Sequence, residues 1–138
     1  MIITREISLQ TKGNCDIIDI TPKVAAQVAE AGANDGTATI FVAGSTAGVT
    51  TIEFEPGLIS DLKAMWEQLV TQNIQYKHDA RWGDGNGYSH IRASLLGASL
   101  AVPFHDKSLT LGTWQQIVLV DFDNRPRSRK VVVQIMGE

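Results

Sequence analysis

The chain carries a single cysteine, Cys15, in 138 residues. No internal disulfide can form, which fits a reducing compartment and excludes a disulfide-stapled secreted scaffold. Within Asn14-Cys15-Asp16-Ile17 there is no basic neighbour to activate a thiolate, so Cys15 reads as a small packing residue. Long apolar runs are also missing: none approaches the roughly 18 residues of a membrane span. The N-terminus lacks the charged-then-apolar pattern of a secretory signal. The expected location is the cytoplasm, with no membrane partner. Positive charge is scarce as well. Lys and Arg number 12 against 15 Asp and Glu, a net charge of -3, without the basic clustering that nucleic acid demands. One basic run, Arg125-Pro126-Arg127-Ser128-Arg129-Lys130, lies between two apolar segments. It reads first as a charged hairpin tip and second as an anion or RNA contact.

What is present belongs to an ordinary globular protein. Hydrophobic residues make up 43% and charged residues 20%, a composition that excludes disorder. The length fits one domain over residues 1–138, with no internal repeat or linker. Residues 2–9 alternate as a half-buried strand, with 15–20 as the expected hairpin partner. Thr21-Pro22 opens a helix whose buried stripe is Val24, Ala25 and Val28. Two β-branched strands follow at 37–43 and 48–54, joined by Gly44-Ser45-Thr46-Ala47. A second helix is expected over 57–72, with Leu58, Leu62, Met65, Trp66 and Leu69 at helical spacing. Residues 73–88 read as one long irregular stretch, of the kind that tends to be functional. A short helix over 89–97 should have Ser89 as its cap. Strands near 99–104, 108–122 and 129–136 close the chain. Clustered strands with few crossovers predict an α+β fold: a largely antiparallel sheet with two main helices and one short helix.

Three polar clusters can carry chemistry. The Gly44–Gly48 loop can present N–H and O–H donors to an anion, and a plain strand connection accounts for it equally. Tyr76-Lys77-His78-Asp79, running on through Asp84, Asn86 and His90, places two histidines around a polar Gly-rich segment. Such a pair can bind a metal, move protons or grip phosphate, although its spacing matches no standard zinc signature. The short helix puts His90 and Ser94 on one face, and Ile91 and Leu95 on another that should be buried. Ser89, Arg92 and Ser94 would make its amino end a phosphate cradle. Glu53 and Glu55 share one strand face, where burial would force pairing or metal binding. His105 falls in an expected tight turn at the surface.

The runs Gly44-Ser-Thr-Ala-Gly-Val-Thr-Thr-Ile-Glu53, Tyr76-Lys-His78, Ser89-His90-Ile-Arg-Ala-Ser94-Leu-Leu-Gly97 and Leu111-Gly-Thr-Trp-Gln115 occur in this order, before a strand ending Gly137-Glu138. Together they resemble the YjbQ-type family, the secondary thiamine-phosphate synthase-like group, over nearly the whole chain. The resemblance implies an α+β homotrimer with a site where the loop after the third strand meets the two-histidine segment. It also implies a weak thiamine-phosphate synthase activity, which joins a pyrimidine-methyl pyrophosphate to a thiazole phosphate and releases pyrophosphate. Glu53, His78 and His90 match motif positions, as do Ser94 and Thr113-Trp114-Gln115; Arg92 stands where a basic residue is usual. Many members have histidine at the position of Gly44. With glycine there the third imidazole is missing: either an acid such as Glu53 completes the metal shell, or no transition metal binds and the Gly-Ser-Thr loop favours an anion.

The resulting expectation is an enzyme that binds a small phosphorylated molecule. In it His78, His90 and Glu53 are catalytic, while Ser45, Thr46, Arg92, Ser94 and Gln115 hold substrate or phosphate. Mg2+ or another divalent cation would be held by His78, His90, Glu53 and Asp84. Two alternatives accompany it: a metal-dependent hydrolase using His78, His90 and a carboxylate, and a non-catalytic phosphometabolite-binding or interaction protein.

Overall fold

A computed structural model describes all residues from Met1 to Glu138. Two antiparallel sheets form its frame. The first, in the order β1-β8-β3-β5-β6, comprises β1 (Ile2–Thr11), β8 (Arg127–Gly137), β3 (Gly36–Ala43), β5 (Ser99–His105) and the short β6 (Ser108–Leu109). The second, β2-β7-β4, comprises β2 (Asp16–Asp19), β7 (Gln116–Asp121) and β4 (Ala47–Ile52). The α+β, antiparallel expectation holds.

The sequence pattern misjudged one pairing. Strands β1 and β2 do not form a hairpin: Ile7 pairs with Val131 on β8, and Ile17 pairs with Val120 on β7. The turn between them runs through left-handed Gly13, Asn14 and Cys15 and carries the chain from one sheet to the other. At Gly13 the φ is +73°, and a Cβ would stand 2.5 Å from the Arg125 carbonyl oxygen, so the turn packs against the 123–127 segment.

Alternation on β1, β3 and β8 turns Ile7, Leu9, Ile40, Val42, Val131, Val133 and Ile135 into the main core. Helix α1 (Thr21–Glu30) closes that core with Val24 and Val28. Thr21 is its first residue, not its cap; Asp19 Oδ1 accepts the Thr21 N–H. A second core, around Trp66, Val118, Val120 and Phe122, lies between the small sheet and α2 (Pro56–Leu69). Glu55 starts α2 by accepting the N–H groups of Gly57 and Leu58, each at 2.8 Å.

The stretch read as irregular contains α3 (Lys77–Trp82), ended by left-handed Gly83. It leads into α4 (Gly87–Leu96), which begins two residues before the expected start. There are thus four helices instead of three. Six residues are too few to leave a legible periodicity, which is why α3 escapes a pattern search. Ser89 does not cap α4. It is wholly buried, its Oγ 2.6 Å from both Asn86 Oδ1 and the Phe122 carbonyl oxygen, which share its one proton and tie the helix to the end of β7.

Candidate functional site

Helices α3 and α4 meet at their amino ends. Gly87 permits this approach, because a Cβ there would stand 2.7 Å from the Cβ of Tyr76. The Gly87 N–H donates to Asp79 Oδ1 at 2.8 Å, and the Tyr76 hydroxyl donates to the Thr71 carbonyl at 2.6 Å. Burial pushes the Tyr76 phenol upward. These contacts bring the imidazoles of His78 and His90 together in a tilted pair, with ring centroids 4.5 Å apart and planes inclined at 42°.

Two carboxylates back the pair on one side. Asp79 Oδ1 lies 3.3 Å and Asp84 Oδ1 3.5 Å from His78 Nδ1. A carboxylate next to Nδ1 favours a proton on that nitrogen, and a cation shared with the two carboxylates would take that proton's place. The His78, Asp79 and Asp84 donor atoms lie within 4.8 Å of one another. One imidazole and two carboxylates suit a divalent cation, so these residues fit the ion that the motifs imply. Sequence reasoning missed Asp79 as a site residue, though its position next to His78 was a signal for it.

Beside this pair runs a cleft of about 300 Å³, lined by Gly44, Ser45, Ala93, Ser94 and Gly97 among others. Ser94 belongs to it and lies one turn along α4 from His90, whose carbonyl accepts the Ser94 hydroxyl at 2.8 Å. Gly48 sits under α4 because any Cβ there would meet the Gly97 carbonyl oxygen at 2.6 Å. The structure therefore gathers His78, His90, Asp84, Ser45 and Ser94 around one helix.

The remaining candidates lie elsewhere. Arg92 is only 2% exposed and is bound within the chain. Its Nε and Nη2 donate to the Val70 carbonyl at 3.0 and 2.8 Å, and Nη2 also pairs with Glu67 Oε2 at 3.0 Å. It joins α4 to the end of α2, with its guanidinium over the Tyr88 ring, and does not line the cleft. Thr46 is buried too, donating to Asp123 Oδ2 at 2.8 Å while accepting from Arg129 at 2.6 Å. Glu53 lies beyond the far end of β4, where it lines a second cleft, of about 370 Å³, with Asp19, Phe54, Thr113 and Trp114. Gln115 lies near that end as well; its amide donates to Thr51 Oγ1 at 3.1 Å. Neither lines the cleft beside the histidines. Glu55, expected on one strand face with Glu53, likewise lies past the end of β4 and is the exposed cap of α2.

The basic hairpin tip also differs from its expected, solvated form. Arg127 and Arg129 turn inward onto Asp123 and Asp121. Burial works against the Asp123 carboxylate, but hydrogen bonds from Thr46 and Asn86 and the Arg127 charge outweigh it. Its pKa ends below the usual carboxylate value. Alternation marked one face of β8 as inward, but nothing in the sequence identified Asp121 and Asp123 as the partners. Ile91 and Leu95, expected to be buried, are 42% and 63% exposed. Their spacing defines a stripe correctly, but within this chain nothing covers it. His105 is at the surface, as expected, 2.7 Å from Asp35.

Fold and site together define a class: an antiparallel α+β domain with a pair of histidines on α3 and α4 and a small-residue cleft lined further along α4. Residues 5–138 match the family model described as UPF0047 protein YjbQ-like, and the chain belongs to that family. A UPF0047 protein of Methanothermobacter thermautotrophicus is 36% identical over 99% of this chain and 94% of its own. A YbjQ-like protein of Sulfolobus solfataricus superposes with a TM-score of 0.94 at 33% identity, covering 100% of this chain and 99% of the other. A YjbQ/UPF0047 protein of Clostridium acetobutylicum gives 0.87 at 37% identity, over 96% and 99%. No helix is long and apolar enough to cross a membrane.

Proposed function

We propose that the His78/His90 pocket and the adjoining Ser45/Ser94 cleft bind a small phosphorylated molecule, and that the imidazoles serve proton transfer in a thiamine-phosphate synthase-like transfer reaction. The observation that carries this reading is the 4.5 Å pairing of the two rings next to a cleft lined by hydroxyls. In that reaction the thiazole nitrogen forms a bond to the pyrimidine methylene carbon while the bond from that carbon to the pyrophosphate oxygen breaks. The thiazole nitrogen has no proton to lose. The acid–base demand therefore falls on the leaving pyrophosphate, to which a protonated imidazole donates. The Ser45 hydroxyl orients the phosphate oxygens, and Ser94 joins it if its hydroxyl turns away from the His90 carbonyl. Asp79 and Asp84 would hold a divalent cation such as Mg2+, which supplies charge neutralisation for pyrophosphate when bound, and would leave the His78 imidazole free to carry a proton. Arg92, Thr46, Glu53 and Gln115 are left out of this pocket.

Incubating the purified chain with both precursors and Mg2+, and measuring pyrophosphate release, tests the proposal; no release with Mg2+ or Mn2+ defeats the transferase reading. The carboxylates around His78 favour one second reading, a metal-dependent hydrolase. Phosphate release from a phosphomonoester, dependent on stoichiometric metal, would select it. Saturable phosphate binding without turnover in either assay would leave a non-catalytic binding protein.

The exposed Ile91 and Leu95 stripe supports a homotrimer in which a second copy covers α4.

A further inference from the structure

We propose that Asn124 is a positioning residue for the two-carboxylate site beside His78. Its side-chain amide, mounted at the end of β7, holds the Asp84 carboxylate next to Asp79 and so sets the affinity of that pair for a divalent cation. The inference rests on the cation reading of Asp79 and Asp84 and adds the residue that keeps the second of them in place. Asp84 belongs to no helix or strand. It stands between Gly83 and Gly85, both left-handed, with φ of +66° and +65°. A Cβ on Gly83 would meet nothing within 4 Å, and one on Gly85 would meet only the Asn124 amide nitrogen, at 3.8 Å. Side-chain packing therefore does not hold this corner, and its two glycines have the widest backbone freedom of any residue.

Hydrogen bonds hold it instead. Asn124 Nδ2 donates to the Asp84 carbonyl oxygen at 2.7 Å, and the Asn86 N–H donates to Asp84 Oδ1 at 3.2 Å. The shorter of the two comes from a different part of the chain, 40 residues on. Its anchor is firm. The Asn124 N–H donates to Asn86 Oδ1 at 3.1 Å, and the buried Asn86 donates from Nδ2 to Asp123 Oδ2, also at 3.1 Å. Asp123 is itself buried and held by Thr46 and Arg127. A rigid strand end thus carries a donor to a loosely packed corner. That corner carries the carboxylate whose Oδ1 lies 3.5 Å from His78 Nδ1, with the donor atoms of His78, Asp79 and Asp84 all within 4.8 Å of one another. Without the Asn124 amide, each binding event must order Asp84 afresh, at a cost in affinity. The Asn124 bond is exposed, so its loss costs the fold little.

Mn2+ binding to the full chain, followed by the loss of the free-ion EPR signal, tests the proposal. Wild type should bind Mn2+ saturably. Asn124→Ala removes the amide and keeps the backbone N–H on Asn86; it should weaken Mn2+ binding roughly 10- to 100-fold, as loss of a ligand's hydrogen-bonded support does, with little change in the urea midpoint. Asp84→Asn should also weaken binding. Adding Asn124→Ala to Asp84→Asn should then change the affinity no further, because Asn124 acts through Asp84. Mn2+ affinity unchanged in Asn124→Ala would overturn the inference, and a lowered urea midpoint alongside it would make the residue purely structural. An undiminished effect of Asn124→Ala in the Asp84→Asn background would overturn it too, as would no saturable Mn2+ binding by wild type. Mn2+ binding that depends on Asn124, in a chain that releases no pyrophosphate, would support the inference and defeat the transferase reading, so the two fail separately.

Discussion

The imidazoles of His78 and His90 lie with their centroids 4.5 Å apart, although they belong to different helices. Nothing within either helix requires this. It follows from the glycine at position 87, which lets α3 approach α4, and from Asp79, which accepts the Gly87 N–H. Gly87→Ala should therefore separate the rings. The expected result is lower activity than wild type with the β-sheet signature of the circular dichroism spectrum unchanged. Unaltered activity would mean that the close approach is not needed.

Arg92 is a structural tie in this fold. Arg92→Ala leaves the Val70 carbonyl without its partner and should cost about 2–3 kcal/mol, seen as a lower urea midpoint. Arg92→Lys should recover only part of this, because an ammonium lacks the planar fork. Glu67 is far more exposed, and Glu67→Gln should lower the urea midpoint by much less than Arg92→Ala does.

Asp123 makes stability depend on pH in a definite direction. Its folded-state pKa is depressed, so its contribution is complete above the unfolded carboxyl value of about 3.9. The contribution is lost as pH falls through the lower folded value. The stability difference between wild type and Asp123→Asn should be largest near neutrality and shrink below about pH 4. Urea unfolding across that range measures it; a constant difference would show that the Asp123 charge does not matter.

If the chain forms the proposed homotrimer through Ile91 and Leu95, then Leu95→Asp should shift it from trimer to monomer in light scattering. Its monomer fold should be retained, because the residue is already 63% exposed. A trimer unaffected by the change would place the interface elsewhere.

Much of this architecture was legible in the residues. Alternation identified β1, β3 and β8, and Glu55-Pro56-Gly57 marked the start of α2. The two-histidine segment stood out by its company of Asp, Gly and Asn. What escaped was partnership. Alternation tells which way Ile7 faces, but the choice of β8 over β2 depends on the whole sheet. The spacing of Ile91 and Leu95 gives a stripe but not its cover. Arg92 and Thr46 look like anion ligands by residue type; only the fold shows that Val70, Glu67 and Asp123 already hold them. Glu53 matched a motif, yet β4 carries it away from the histidines.

The most direct test of the account is pyrophosphate release from the two thiamine precursors by wild type, His78→Ala, His90→Ala and the double variant. If the paired imidazoles do the proton transfer, each single change lowers turnover about 10²- to 10⁴-fold, and the double change adds little beyond the worse single one. Turnover that survives unchanged in both single variants would contradict the central claim.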